Sequence, residues 1–397
     1  MQVERHFIKE NQEIVNLCQT SKELYNKCNF LMRQAFFSKN TLPDINVLVF
    51  QTKNLDCFKN LHNTKTAKQT IRKVISDWSN FKKSTNAFYK NPKSFNSKPK
   101  PPNYKKKMAQ VIFYNETIKR KQLKENRIVP TNKCFDIKSE IKNFKQVTIT
   151  PKTFGFIVDI QYEENKQKEK TKIDKSKICS IDLGINNLCA ITSDQHNPIL
   201  INGRILKSIN QWYNKNPGKN KSRKRYFRIE NYFHHVSKLI VQNCIEHQIG
   251  TIIIGRNNNW KQNMNMGKKN NQKFQYIPFC NLLQKLEYKA KSYGISIIYT
   301  EESYTSQSSY LDRDPLPEYN KEEKPIFSGK RIKRGLYETK EGKLLNSDIN
   351  GSANIGRKVI QNEDILFRLD RSLAARPIAI NPLRKFTIES NSKWINA

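Results

Sequence analysis

The chain has 397 residues, with 72 Lys plus Arg against 35 Asp plus Glu, a formal charge of +37 and an isoelectric point near 9.8. This excess exceeds what solubility requires and points to a polyanionic partner, while the length allows two or three domains, each with its own core. Residues 1–50 are charged and periodic and no long apolar run follows, so neither a signal peptide nor a membrane partner is expected and the location is read as intracellular.

Residues 1–9 read as a short strand, after which Ile14, Leu17, Cys18, Leu24, Tyr25, Cys28 and Leu31 recur at helical spacing, as do Ile71, Val74, Ile75, Trp78 and Phe81. Residues 10–90 therefore read as a helical insert. The run NPKSFNSKPKPPNYKKK at 91–107 carries too much proline for a helix and reads as an extended connector. Its Tyr104, Lys105 and Lys106 are candidates for contact with a nucleic-acid backbone, an ordinary linker being the plain alternative. Strand signals at 110–114, 135–137, 147–150 and 156–162, the last two flanking Thr153-Phe154-Gly155, predict a small β domain that recruits the N-terminal strand.

A charged linker at 163–175 precedes three consecutive strands at 178–183, 188–192 and 199–202. A long helix from about Ser222 to His247 follows, with Ile229, Phe233, Val236, Ile240 and Cys244 facing the sheet and Arg223, Lys224, Arg225 and Arg228 near its start. The next elements are a strand at 251–254, a helix opened by Pro278 and ended by Gly294, and a strand at 295–300. The expected architecture is α/β, a mixed sheet flanked by helices. The polar run 257–275 reads as a lid, with Trp260 and Lys261 as its contact residues and an ordinary loop as the alternative. In 327–337, Lys330, Arg331, Lys333 and Arg334 lie between aromatics and are candidates to grip a strand, against a solvated hairpin. The eight cysteines never fall in a C-x₂-C pair, so a zinc ribbon and a disulfide framework are not indicated.

Three distant segments each set a carboxylate at a strand end or a helix start: Asp182 in IDLGINNL, Glu301 and Glu302 in EESYTSQSS, and Asp348 in SDINGSANI. Singly these are a turn former, a solvated strand end and a helix cap. Together they can supply the oxygen ligands that hard divalent cations take, and two Mg²⁺ ions about 3.5–4 Å apart can hydrolyse a phosphodiester.

IDLGINNL, the PFxxLxxxLxYKAxxxGI helix at 278–295, EESYTSQSS and SDINGSANI in combination resemble the RuvC-like nuclease domain of the TnpB family. TnpB proteins are RNA-guided DNA endonucleases of insertion sequences, related to Fanzor proteins and type V CRISPR effectors. The resemblance implies a RuvC/RNase H-like mixed sheet at 176–365, a small wedge-like β-barrel domain from 1–9 and 100–162, and a helical recognition insert at 10–90. It also implies a target-nucleic-acid-binding insert at 303–345 and a basic C-terminal tail at 366–397.

Carried over, the family's first catalytic acid falls on Asp182 and its last on Asp348. Most relatives place the second Glu where this chain has Gly255, and some carry it just before the YTS segment, which selects Glu302, with Glu301 as the alternate. Relatives with a zinc finger have their first cysteine where this chain has Ser308, and 303–345 contains none, so no zinc is expected. The implied cofactors are two Mg²⁺ ions, Mn²⁺ substituting, held by Asp182, Glu302 and Asp348. Arg357 and Lys358, roughly two and a half turns beyond Asp348 on a regular helix, are candidates to steady the scissile strand, with plain helix surface as the alternative.

The implied partners are a guide RNA from the chain's own locus, a double-stranded DNA target and a companion transposase in the same element. The implied location is cytoplasmic and nucleoid-associated, or nuclear in a eukaryotic host. Two alternatives remain open at this point: a nuclease-inactive RNA-guided DNA-binding regulator, and an accessory transposition protein that binds nucleic acid without a guide.

Overall fold

Asn11 starts the first helix, because its side chain accepts the backbone N–H groups of Glu13 and Ile14. The structure, a computed structural model, describes residues 2–92, 95, 97–163, 172–256, 277–318, 325–360, 376–383, 386–389 and 393–396. The fold is mixed α/β, and the chain divides into two units, Met1–Asn165 and Lys166–Ala397.

The first unit contains β1 (Gln2–Ile8), α1 (Gln12–Phe37), α2 (Ile45–Thr52), α3 (Asp56–Lys59), α4 (Thr64–Lys90), β2 (Val111–Tyr114) and α5 (Arg120–Lys124). It ends with β3 (Arg127–Ile128), β4 (Ile137–Lys138), β5 (Gln146–Lys152) and β6 (Gly155–Tyr162). The sheet order β1-β6-β5-β2 is antiparallel throughout, so the N-terminal strand pairs where the sequence analysis expects it. The β5–β6 hairpin turns on Gly155, whose φ of +134° and 2.7 Å approach of a would-be Cβ to the Ile8 carbonyl leave no room for another residue.

Helices α1 and α4 pack through one core, and two polar pairs bridge them there. Trp78 Nε1–H donates to Asn29 Oδ1 at 2.8 Å, and the Tyr25 hydroxyl donates to Asp77 at 2.8 Å. The proline-rich connector cannot pair with itself as a helix or sheet would. Instead Asn26, Asn29 and Arg33, at one helical face of α1, hold it by hydrogen bonds to the backbone of Pro102 and Lys105.

The second unit contains β7 (Asp174–Leu183), β8 (Asn187–Ser193), β9 (Ile199–Asn202), α6 (Arg204–Lys215), α7 (Lys219–Glu246), β10 (Ile249–Gly255), α8 (Phe279–Ser292) and β11 (Ser296–Thr300). It continues with β12 (Lys330–Lys333), β13 (Leu336–Glu338), β14 (Leu344–Asn346), α9 (Ser347–Val359), β15 (Ile378–Ile380), β16 (Phe386–Glu389) and β17 (Lys393–Asn396). Six strands form a mixed sheet in the order β11-β10-β7-β8-β9-β15, with β7, β10 and β11 parallel.

Strand alternation sorts the two faces. Cys179, Ile181, Ile252 and Ile254 join the large core with α7 and α8, whereas Ile178 and Ile253 pack with Ala353 and Ile355 of α9. Burying each such aliphatic side chain contributes roughly 1.5–3 kcal/mol. Within the main core, Lys285 of α8 and Glu230 of α7 form a largely buried ion pair at 2.8 Å.

Two features differ from the sequence expectation. Helix α6 was not expected, since only Leu206 and Asn210 are buried along it and so few apolar positions give a weak periodic signal. The segment read as a basic tail gives β15 to the sheet edge, parallel to β9 and with Ile380 buried. Three apolar residues are too short a run to announce a strand. The proposed lid and its Trp260 and Lys261 lie outside the described residues, as does most of the 163–175 linker.

Candidate carboxylate site

Parallel strands end together, and β7, β10 and β11 finish at the same edge of the sheet. Ile181 lies opposite Ile254, so Asp182 and Gly255 are the next positions along neighbouring strands. Gly255 lies opposite Thr300, which puts Glu301 and Glu302 just past the end of β11. Alternation turns Asp182 away from the large core, onto the face that α9 covers.

Helix α9 is fixed there by a buried chain of hydroxyls. Ser180 Oγ and Thr192 Oγ1 lie 2.6 Å apart, Thr192 Oγ1 and Ser352 Oγ 3.1 Å apart, and Ser352 donates to the Ser180 carbonyl at 2.9 Å. Asn346 caps the helix by accepting from the N–H groups of Asp348 and Ile349, which places Asp348 in the first turn rather than at the cap. One turn on, Gly351 lies so close to Asp182 that a Cβ there would sit 3.0 Å from Asp182 Oδ2.

A Cβ built on Gly255 would sit 3.0 Å from Glu302 Oε2, so the Glu302 carboxylate stands in the space a side chain at 255 would need. Withdrawal from water pushes the Asp182 carboxyl up to about 7, and the charges of Glu302 and Asp348 add to the effect while Arg331 opposes it. Asp182, Glu302 and Asp348 thus share one electrostatic environment.

Asp348 has two partners. Asn187 Nδ2 donates to it at 2.7 Å, and Arg331 Nη2 lies 3.5 Å from its other oxygen, with the arginine side chain 47% exposed. Glu301 behaves differently. Burial raises its carboxyl, but hydrogen bonds from Lys358 at 2.7 Å and the Ser303 N–H at 2.6 Å more than offset this and hold it below its ordinary value. Lys358 is largely buried against Glu301, so this glutamate is committed to an ion pair.

Oxygen ligands of carboxylate type suit hard divalent cations. Asp182, raised by burial and further by the charges of Glu302 and Asp348, would gain from a cation placed beside it. Among the described residues no three acidic, His or Cys side chains converge at ligating distance on one point, since Asp348 is turned toward Asn187 and Arg331.

The insert between the second and third acids is tied down by hydrogen bonds. Asn350 and Asn354 of α9 donate to the Ser308 carbonyl at 2.8 and 2.7 Å. Asp314 accepts from the Ser309 and Ser328 N–H groups, and Asp312 from Ser309, Ser328 and Lys340. Arg357 is engaged here too, donating to Asn354 and to the Asp314 carbonyl at 3.1 Å each.

The basic residues of the hairpin are exposed, with Lys330 3.6 Å from Glu338 and Lys333 and Arg334 at the surface, so only Arg331 reaches the acids. In the connector, Tyr104 and Lys106 are exposed, while Lys105 lies 4.1 Å over the Tyr25 ring, where burial lowers its ammonium pKa.

The sequence analysis missed a cavity of about 440 Å³ in the first unit, lined by Lys65, Lys68, Arg72 and Lys145 with Gln69, Tyr114, Asn115 and Glu116, and basic on balance although Glu116 pairs with Lys65. Lys65, Lys68 and Arg72 fall at i, i+3 and i+7 on α4, a spacing that could have revealed it.

Residues 279–355 match the family described as Cas12f1-like, TNB domain, a segment that contains Glu302 and Asp348 but not Asp182. No curated protein matches the chain. Among solved structures, the chain is similar to one described as a Cas12f1-sgRNA-target DNA complex, at 16% identity and a TM-score of 0.36, covering 91% of this chain and 100% of that one. It is also similar to one described as a CRISPR-Cas12f ternary complex, at 14% identity and a TM-score of 0.33, covering 89% of this chain and 82% of that one.

Proposed function

We propose that this chain is an RNA-guided DNA endonuclease of the TnpB kind, encoded with a transposon and cutting DNA by metal-dependent phosphodiester hydrolysis in a RuvC-like domain. The observation that carries this reading is the position of Glu302, whose carboxylate takes the space left by Gly255 and raises the Asp182 carboxyl together with Asp348. The match of 279–355 to a Cas12f1-like family and the formal charge of +37 support it.

Asp182, Glu302 and Asp348 would hold two Mg²⁺ ions, or Mn²⁺ in their place. When bound, such ions activate the attacking water and stabilise the leaving oxygen. The chain's own residues prepare the site. Asn187 fixes one oxygen of Asp348, Gly351 lets α9 close on Asp182, and the Ser180-Thr192-Ser352 chain keeps helix and sheet in register. Arg331, exposed and beside Asp348, exchanges that contact for a phosphate of the incoming strand.

Long sequence recognition is delegated to base pairing by a guide RNA from the chain's own locus, and the protein reads only a short flanking motif in the DNA. The basic cavity between α4 and the 114–116 segment suits the second task. Zinc has no part in this reading, and the Asp312 and Asp314 hydrogen bonds brace the insert instead.

The test is to express the chain with its flanking DNA, sequence any co-purifying RNA, and incubate the complex with Mg²⁺ and a guide-matched target bearing a randomised flank. Guide-dependent cleavage is the expected result. A specific RNA with tight target binding and no cut selects the nuclease-inactive regulator, a reading favoured by the turn of Asp348 toward Arg331. Equal binding of unrelated RNA selects the accessory protein without a guide.

A further inference from the structure

Phe30, Arg33 and Phe37 fall at i, i+3 and i+7 of α1, on one face of the helix, and Tyr104 of the connector stands beside them. Phe30 is 39% exposed, Phe37 62% and Tyr104 42%. Each ring carries a cation. Lys27 Nζ lies 5.5 Å from the Phe30 centroid, and the Arg33 guanidinium lies 5.3 Å from Phe37 and 5.6 Å from Tyr104.

The surface is preorganised from the core outward. Phe37 packs edge-on against Phe36 at 5.3 Å, and Phe36 lies 5.4 Å from Trp78 and 5.6 Å from Phe81. Trp78 is buried and hydrogen-bonded to Asn29. Asn29 and Arg33 both donate to the Pro102 carbonyl, at 3.1 and 2.9 Å, which fixes the connector two residues before Tyr104.

We propose that this face of α1 and the connector is a binding site for single-stranded nucleic acid, with bases stacking on Phe37 and Tyr104 and phosphates meeting Arg33 and Lys27. Charge complementarity selects this occupant. Lysine is depleted at the centre of protein-docking patches, whereas a strand-binding surface interleaves exposed rings with cations. The site lies wholly in the first unit, so it stands whether or not the chain cuts DNA.

The experiment is fluorescence anisotropy of the full-length protein with labelled oligo(dT) and oligo(U) over a range of salt. The variants are Phe37→Leu, Tyr104→Leu, Tyr104→Phe and Lys27→Ala. Both leucine variants are expected to weaken binding about tenfold at fixed salt with the salt slope unchanged, because a stacked base rather than a phosphate is lost. Tyr104→Phe should bind as wild type, and Lys27→Ala should reduce the salt slope by about one. The stronger of the two probes identifies the strand as DNA or RNA. Wild-type affinity in both leucine variants overturns the proposal. Unchanged affinity accompanied by loss of self-association in sedimentation of Phe37→Leu gives the surface to a second copy instead.

Discussion

Glu302 Oε2 lies 3.0 Å from the point where a Cβ on Gly255 would stand, so the two neighbouring strand ends cannot both direct a side chain into the site. Gly255→Ala tests this. The added methyl also meets Ile355 Cδ1 at 2.5 Å, so the buried Ile355 side chain must shift to admit it. Overpacking of this kind costs about 1–3 kcal/mol, and a lowered melting temperature together with weakened cleavage is expected. Ile355→Val in the same chain should recover part of the stability, since the two positions are coupled by contact.

Asn187 touches Asp348 and no other acid of the group by hydrogen bond. Loss of an outer partner that orients a ligand costs about 10–100-fold in activity or metal affinity, so Asn187→Ala should slow cleavage by that factor and leave target binding unchanged. Single-turnover cleavage beside an equilibrium binding measurement separates the two. Equal loss in both would show that Asn187 supports the fold and not the site.

The raised pKa of Asp182 predicts a signed pH dependence. The folded protein holds a proton there up to about pH 7, whereas the unfolded chain releases it near 3.8. Its contribution to stability is therefore complete below about pH 3.8 and is lost as pH rises through about 7. Without divalent ions, Asp182→Asn should become the more stable protein between pH 5 and 8, compared by melting temperature in the same buffers, a range estimated from this linkage at roughly these limits. Added Mg²⁺ should restore the wild type and not the variant.

The three acids stood out as candidates in sequence because each sits where one kind of element gives way to another. Asp182 closes an apolar strand, Glu302 follows one, and Asp348 follows a capping Asn346. The sequence favours Glu302 over Glu301 only through the family resemblance, whereas the ion pair of Glu301 with Lys358 of α9 and the Glu302 carboxylate above Gly255 are brought about by folding and carry no sequence signal. Asn187 carried no signal either, because only folding brings it to a residue 161 positions away. Short or weakly periodic elements, α6 and β15, were missed for want of buried positions to count.

The insert between Glu302 and Asp348 should be indifferent to zinc removal. In Mg²⁺-free buffer, a zinc-selective chelator is expected to leave the melting temperature unchanged, whereas Asn354→Ala strips partners from the Thr305 and Ser308 carbonyls. Leaving buried groups of this kind less well satisfied costs about 1–3 kcal/mol. A chelator-induced fall in stability equal to that of Asn354→Ala would show that a metal braces the insert after all.

The most direct test compares cleavage of a guide-matched DNA target in Mg²⁺ by the RNA-loaded wild type, Glu302→Gln and Glu301→Gln. The account predicts that the wild type and Glu301→Gln cut, while Glu302→Gln binds the same target with similar affinity and leaves it intact. Cutting by Glu302→Gln at the wild-type rate, or a wild-type complex that binds its target and never cuts it, would contradict the assignment of Glu302 beside Asp182 and Asp348.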